Sequence, residues 1–448
     1  MRKGTFMKTL LRTQNPQTRV AAKIVAITCL SLSLSLPLLA RAEGPSELPT
    51  ADPASVGMSA ERLERIDGAL QGFIDRNEVA GTVALIARKG KVVYFKAQGY
   101  RDVEQEAPMT TDVVFRIASM TKPITSVAAM MLHEEGRYLI SEPVSRFLPE
   151  FSDVRVAEQT TDEDFFVGTP YKLVEPRRPI TIRHLLTHTA GLSNVYRAPI
   201  QPELIKHYLP TKEGETIADF VRVQAALPLN YHPGEHWEYS RATCVVGRLV
   251  EVVSEQPLDR FFQERIFEPL GMTDSHFYLP TEKVGRFAAS YTPDENGKIV
   301  LKEAPTPESR FVGDSGTYFM GSGGMVSTAA DYYKFCQMLL NGGDYNGQRI
   351  LSEQTVELMR QNHTGDLPIW LRGPGGGFGL GFGVVTDAGA AGTPASVGTF
   401  SWGGAYCTVF WIDPVEEMVG VLMTQVRPYT HLTIRQTFLN LAYQALED

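Results

Sequence analysis

Ser119 stands three residues ahead of Lys122 in the stretch FRIASMTKPITSVAAMMLHEEG, residues 115–136. A serine hydroxyl is a weak nucleophile until a neighbouring group takes its proton. Three residues along a helix bring two side chains onto one face, so the Lys122 amine can reach the Ser119 hydroxyl. Pro123 fits only in a first helical turn, which puts the helix start close to Ser119. That start offers unpaired backbone N–H groups and a partial positive charge. The helix field contributes about 0.3–1 kcal/mol at an exposed site and up to about 2 in a partly buried one, too little to activate a hydroxyl alone. Burial of Lys122 near other cations would let it act as the base. The competing reading is that Ser119 is a helix cap, a role serine commonly takes.

Two further stretches bear on that choice. YHPGEHWEYSRATCVVGRLVE (231–251) places Tyr239 at the mouth of a helix, after a proline-glycine turn. FSWGGAYCTVFWIDP (400–414) places Trp402-Gly403-Gly404 at the start of an expected strand, where glycines let a substrate approach the backbone. Other candidates are weaker. His184 and His188 have helical spacing for a metal, but Leu185 stands where H-E-x-x-H needs glutamate, so no metal site is expected. His363-Thr364-Gly365 spells H-T-G, yet the prolines and glycines after it do not suit a core strand. Gly321-Ser322-Gly323-Gly324 misses the G-x-S-x-G frame and reads as a backbone turn beside a cleft. His236 and Trp237 could line a pocket, although packing suits Trp237 equally well.

The elements that must position these residues can be outlined. MSAERLERIDGALQGFIDRN (58–77) has helical apolar spacing and Ser59 as its N-cap. Two β-rich runs flank Lys89-Gly90 and predict a hairpin. Thr181 caps a helix that Gly191 should stop, and two helices broken near Pro257 are expected over 244–272. The stretch 155–180 reads as an irregular flap. Residues 405–425 predict a hairpin with its turn at Asp413-Pro414, and a final helix follows. Strands at both ends with helices between suggest one sheet built from both termini and a helical insertion.

These motifs resemble, in their order, those of serine hydrolases related to class C β-lactamases and penicillin-binding proteins. Within that group the chain is most similar to family VIII carboxylesterases. The resemblance covers about 55–440 and rests on FRIASMTKPIT, LLTHTAGL, PGEHWEYS, IFEPLGMTDSHF, GSGGMVSTAADYYKF and SWGGAYCTVFWIDP. It implies a β-lactamase-like α/β plus all-α fold: an antiparallel sheet flanked by helices, an inserted helical domain, and an active site in the cleft between. The expected α/β domain comprises 43–135 and 301–448, and the insertion 136–300. By resemblance Ser119 is the nucleophile, Lys122 and Tyr239 handle protons, and the backbone N–H groups of Ser119 and Ala405 form an oxyanion hole beside Trp402, Gly403 and Gly404. The pattern departs from the lactamases in two places. Arg241 replaces the asparagine of Y-x-N, and Trp402 replaces the cation of K-T-G, which favours an esterase over a β-lactamase or D-amino-acid peptidase. An acyl transferase and a non-catalytic binding member are the other readings.

Residues 1–42 read as an export signal: a basic lead, the apolar run IVAITCLSLSLSLPLLA and small residues at Ala40 and Ala42. Cleavage near Ala42 would leave a periplasmic or secreted protein, with an uncleaved anchor as the alternative and no later membrane span. It would remove seven basic residues and no acidic one, moving the formal charge from −8 to −15. Such an acidic protein is a poor partner for nucleic acid. Cys29 would leave with the signal. Cys244, Cys336 and Cys407 show no C-x-x-C, so three buried thiols are expected rather than a disulfide framework. The implied substrate is a small ester or amide, and no cofactor is called for.

Overall fold

The two apolar runs around Lys89-Gly90 form the centre of the sheet. The computed structural model describes residues 48–160, 170–192, 214–313 and 316–447. The expected signal segment, its cleavage point and Cys29 lie outside the described residues. β1 (Gly81–Arg88) and β2 (Lys91–Asp102) pair antiparallel. Lys89 and Gly90 both take positive φ, +51° and +74°, as a tight two-residue hairpin requires. β3 (Ala107–Pro108) completes that edge. The remaining strands come from the far end of the chain: β4 (Gly376–Phe378), β5 (Gly383–Val385), β6 (Phe400–Gly403), β7 (Val409–Asp413) and β8 (Met418–Met423). The sheet order is β4-β5-β6-β7-β8-β1-β2-β3, antiparallel throughout.

β1 and β8 are buried along their whole length because helices cover both faces. Alternation sorts their side chains. Val83, Leu85, Val419 and Val421 face one core, with α2 (Thr121–Glu134) and α6 (Ala329–Leu340). Ala84, Ile86, Met418 and Leu422 face the other, with α1 (Ala60–Asp75) and α7 (Ile434–Tyr443). Ser59 caps α1 as expected, accepting from the Arg62 N–H at 3.3 Å. Gly420 is needed at its place: a Cβ there would lie 2.1 Å from the Trp411 ring.

The first core continues past the sheet into α3 (Ile182–Leu186), α4 (Ile217–Ala226) and α5 (Ala242–Ser254). Thr181 caps α3, with His184 completing a capping box. This helix ends earlier than expected, at Leu186 rather than Gly191, because His188 adopts φ +57° and turns the chain. In the expected flap, Val156–Gln159 pairs with Tyr171–Val174 as a hairpin. Cys244, Cys336 and Cys407 are buried free thiols. Among the described residues no helix is long and apolar enough to cross a membrane.

Candidate active site

Ser119 sits in a single 3₁₀ turn, Ala118–Met120, that leads directly into α2. The turn is pinned from behind. Gln425 accepts from the Arg116 N–H at 3.1 Å and donates to the Arg116 carbonyl at 3.0 Å, tying the chain before Ser119 to the end of β8. The buried Arg116 guanidinium donates to Glu303 at 2.8 Å and lies 4.0 Å over the Phe287 ring. Ala118 takes φ +42°, a conformation that costs a non-glycine residue about 1–3 kcal/mol and persists only where its surroundings impose it.

No side-chain cap hydrogen bond is made at the 3₁₀ turn or at the start of α2. The Ser119 hydroxyl instead accepts from Lys122 Nζ at 3.2 Å. Lys122 is 4 % exposed and also donates to the Ser322 carbonyl at 2.6 Å. Its Nζ lies 4.6 Å from the Tyr239 ring centre. Ser322 was legible only as part of a glycine-rich turn. Its carbonyl role depends on how Gly321–Gly324 docks: Thr125 Oγ1 donates to the Gly321 carbonyl at 2.7 Å, and the Met325 N–H donates to Thr121 Oγ1 at 3.2 Å.

Tyr239 stands just before α5, in the segment 237–240. Its phenol oxygen accepts from Trp402 Nε1 at 3.3 Å. Its ring packs 5.0 Å from His188, 5.4 Å from Trp402 and 6.1 Å from Trp237. His188 is buried and held well below its usual pKa, first by desolvation and then by the Lys122 charge. The neutral ring accepts from the Ser240 N–H at 3.4 Å, which steadies the segment carrying Tyr239. His188 was singled out in the sequence only as a metal candidate. Its packing role follows from the early end of α3. Trp237 is buried in the same aromatic group, whereas His236 is exposed.

Trp402 and Gly403 close β6 rather than opening a strand, and Gly404–Thr408 forms the turn into β7. The expected hairpin over 405–425 therefore begins at Val409. The glycine requirement lies at Gly404, where a Cβ would meet Thr408 Oγ1 at 2.2 Å and the Ile117 carbonyl at 2.3 Å. This turn thus presses against the chain leading to Ser119. Among the described residues, the N–H of Ala405 makes no backbone hydrogen bond. Arg435 of α7 donates to the Gly404 carbonyl and to Tyr429 Oη at 2.5 Å. Nothing in the sequence pointed to Arg435.

Ser119, Tyr239, Trp402, Gly403, Gly404 and Ala405 line one cavity of about 430 Å³, within the range usual for small-molecule sites. Lys122 is not on its lining and reaches it through its bond to Ser119. His363 is not part of it. Its Nε2 pairs with the Leu358 carbonyl at 2.8 Å, in the loop before β4.

An antiparallel sheet flanked by helices, with Ser119 bonded to Lys122 at a helix start beside a cavity, defines a class, and the sequence comparisons assign the chain to it. Residues 66–444 match the Beta-lactamase family model. The chain belongs to that family and is a serine hydrolase of β-lactamase fold. It is 32% identical to Esterase EstB of Burkholderia gladioli over 391 residues, covering 83% of this chain and 93% of that one. The structure of EstCE1, a hydrolase with promiscuous acyltransferase activity, matches with a TM-score of 0.69 at 30% identity, covering 87% of this chain and 99% of that one. Simvastatin synthase (LovD) from Aspergillus terreus matches with a TM-score of 0.72 at 26% identity, covering 86% and 98%.

Proposed function

We propose that the protein is a carboxylesterase that works through an acyl-enzyme on Ser119. One observation carries the reading: the Ser119 hydroxyl is bonded to Lys122 instead of capping its helix, and it opens onto a cavity shared with Tyr239 and Ala405. Ser119 Oγ attacks the acyl carbon, and its proton passes into the Lys122–Tyr239 pair. The oxyanion is held by the N–H groups of Ser119 and Ala405. Loss of one such donor typically costs about 2.7–4 kcal/mol. Collapse expels the alkoxide, which takes a proton from Tyr239. Water then attacks the acyl-enzyme and releases the acid, restoring Ser119.

The identity of the acceptor is the second question. EstB is an esterase, whereas LovD is a synthase and EstCE1 is a hydrolase with acyltransferase side activity. The same acyl-enzyme would serve transfer if an alcohol displaced water. A β-lactamase or D-amino-acid peptidase is disfavoured by Arg241 and Trp402, which replace the residues that would hold a lactam or peptide. We further propose that residues 1–42 export the protein to the periplasm or beyond. The proposed division is 43–135 with 301–448 as the α/β part and 136–300 as the helical insertion. The test is a comparison of p-nitrophenyl butyrate with nitrocefin. Fast ester cleavage and little lactam turnover are expected. Efficient nitrocefin hydrolysis would move the protein to the lactamases.

A further inference from the structure

The catalytic cavity has an unusual charge for this chain. The protein carries 51 acidic and 43 basic Lys and Arg residues, yet the described lining of the cavity includes Arg372, Arg427 and Arg435 and no Asp or Glu. Two of the three have duties or exposure that explain them. Arg435 is spent on the Gly404 carbonyl and on Tyr429, stacked 3.9 Å over that ring. Arg427 is exposed at the rim, 5.9 Å from the Tyr406 ring.

Arg372 is different. It follows Trp370 and Leu371 in the loop before β4, and both of those apolar side chains are exposed. The arginine itself is half-buried, with its Nε end packed inward. It runs over glycine backbone, and a Cβ on Gly383 would lie 2.6 Å from its Cδ and its Nη1. Nη1 donates to Ser401 Oγ at 3.0 Å, one residue from Trp402. Nε is buried with no acceptor. Among the described residues no carboxylate pairs with it. Desolvation alone lowers its pKa, to about 10, so it remains charged at neutral pH. A desolvated guanidinium is normally paired, because an uncompensated buried charge is costly. Here the open side of the group is the substrate cavity.

We propose that Arg372 is a specificity residue that binds a carboxylate on the substrate, so that the preferred esters carry a free carboxylate in addition to the scissile bond. The proposal rests on the esterase reading above and names its substrate class. A guanidinium fork suits a planar carboxylate better than an ammonium does. The exposed Arg427 adds to a local positive field that would draw anions to the cavity. Leu371, exposed on the cavity lining, would cover the hydrocarbon that joins the carboxylate to the ester.

Matched ester pairs test this. One pair is 4-acetoxybenzoate and its methyl ester, with the carboxylate on the leaving group. The other is mono-4-nitrophenyl adipate and its methyl ester, with the carboxylate on the acyl chain. In at least one pair the anion should have a kcat/KM about tenfold or more above its neutral partner, equal to about 1.4 kcal/mol. Arg372→Gln should bring that ratio close to one, and Arg372→Lys should keep part of it. A ratio is insensitive to the folded fraction, so a poorly folded variant still reports. Preference in neither pair, or a ratio unchanged in Arg372→Gln, overturns the proposal. If none of the four esters is cleaved in a Ser119-dependent way, the esterase reading fails instead. Calorimetric titration of benzoate and adipate then decides binding alone. Affinity tenfold weaker in Arg372→Gln supports the site, and equal affinity overturns it.

Discussion

Ser119 and Lys122 could be paired from their types and spacing alone, whereas the role proposed for Tyr239 came from the family resemblance. An S-x-x-K pair at a helix start is a short-range relation, and short-range relations survive in a sequence. The supports of that pair are long-range and were illegible. The Ser322 carbonyl that holds Lys122 is 200 residues away, and Arg435 reaches Gly404 from the last helix. The Arg435 contact matters physically because the Gly404 carbonyl and the Ala405 N–H belong to one peptide unit. A cation bonded to the carbonyl fixes the plane of that unit and polarises the N–H on its other side. Gly404 gives the sharpest residue-scale prediction. In Gly404→Ala the added methyl meets the Ile117 carbonyl at 2.3 Å, so the turn must move and take Ala405 with it. Activity should fall about 10²- to 10³-fold, the usual cost of losing one oxyanion donor. Steady-state kinetics near the wild-type value would remove Ala405 from the oxyanion hole.

At the scale of elements, the clean predictions were those with a local cause. Ser59 and Thr181 start helices, and Lys89-Gly90 turns a hairpin. The errors at Gly191 and Trp402 also have physical reasons. α3 stops where His188 packs into the aromatic group around Tyr239, a tertiary effect that no local signal carried. β6 ends at Gly403 because Gly404 is held against Ile117. The same burial makes three histidines pH-sensitive for stability. His184 is lowered to about 4 by desolvation and then by Arg178 and Arg183. His276 is lowered to about 4 by desolvation and then by Lys283, and His188 falls well below 6.5. The unfolded chain takes up these protons near 6.5, while the folded chain refuses them until about 4 at His184 and His276 and holds His188 neutral well below 6.5. Stability present above 6.5 is therefore lost as pH falls from 6.5 to about 4, at about 1.4 kcal/mol per pH unit for each refused proton. Calorimetry should show Tm falling over that interval, and less steeply in His276→Asn. A level Tm between pH 6.5 and 4.5 would contradict this account.

For the whole molecule, the architecture was legible because both ends of the chain carry β-rich runs and the middle does not. The observed sheet takes its strands from 81–108 and 376–423. What composition could not convey is where the charge sits. A chain with a formal charge of −8 places Arg372, Arg427 and Arg435 on the lining of the candidate cavity. Arg372 lies in the loop before β4, where the sequence offered prolines and glycines but no periodicity. Its position became clear only when Gly383 and Ser401 were seen to receive it.

The central claim is the covalent one, and intact-mass spectrometry tests it most directly. The protein and its Ser119→Ala variant would be quenched with acid during turnover of p-nitrophenyl butyrate, then digested to locate any butyryl group. The account predicts one butyryl adduct on the peptide containing Ser119, none in the variant, and a loss of turnover on the order of 10⁶-fold. An adduct on another residue, or wild-type turnover in Ser119→Ala, would contradict it.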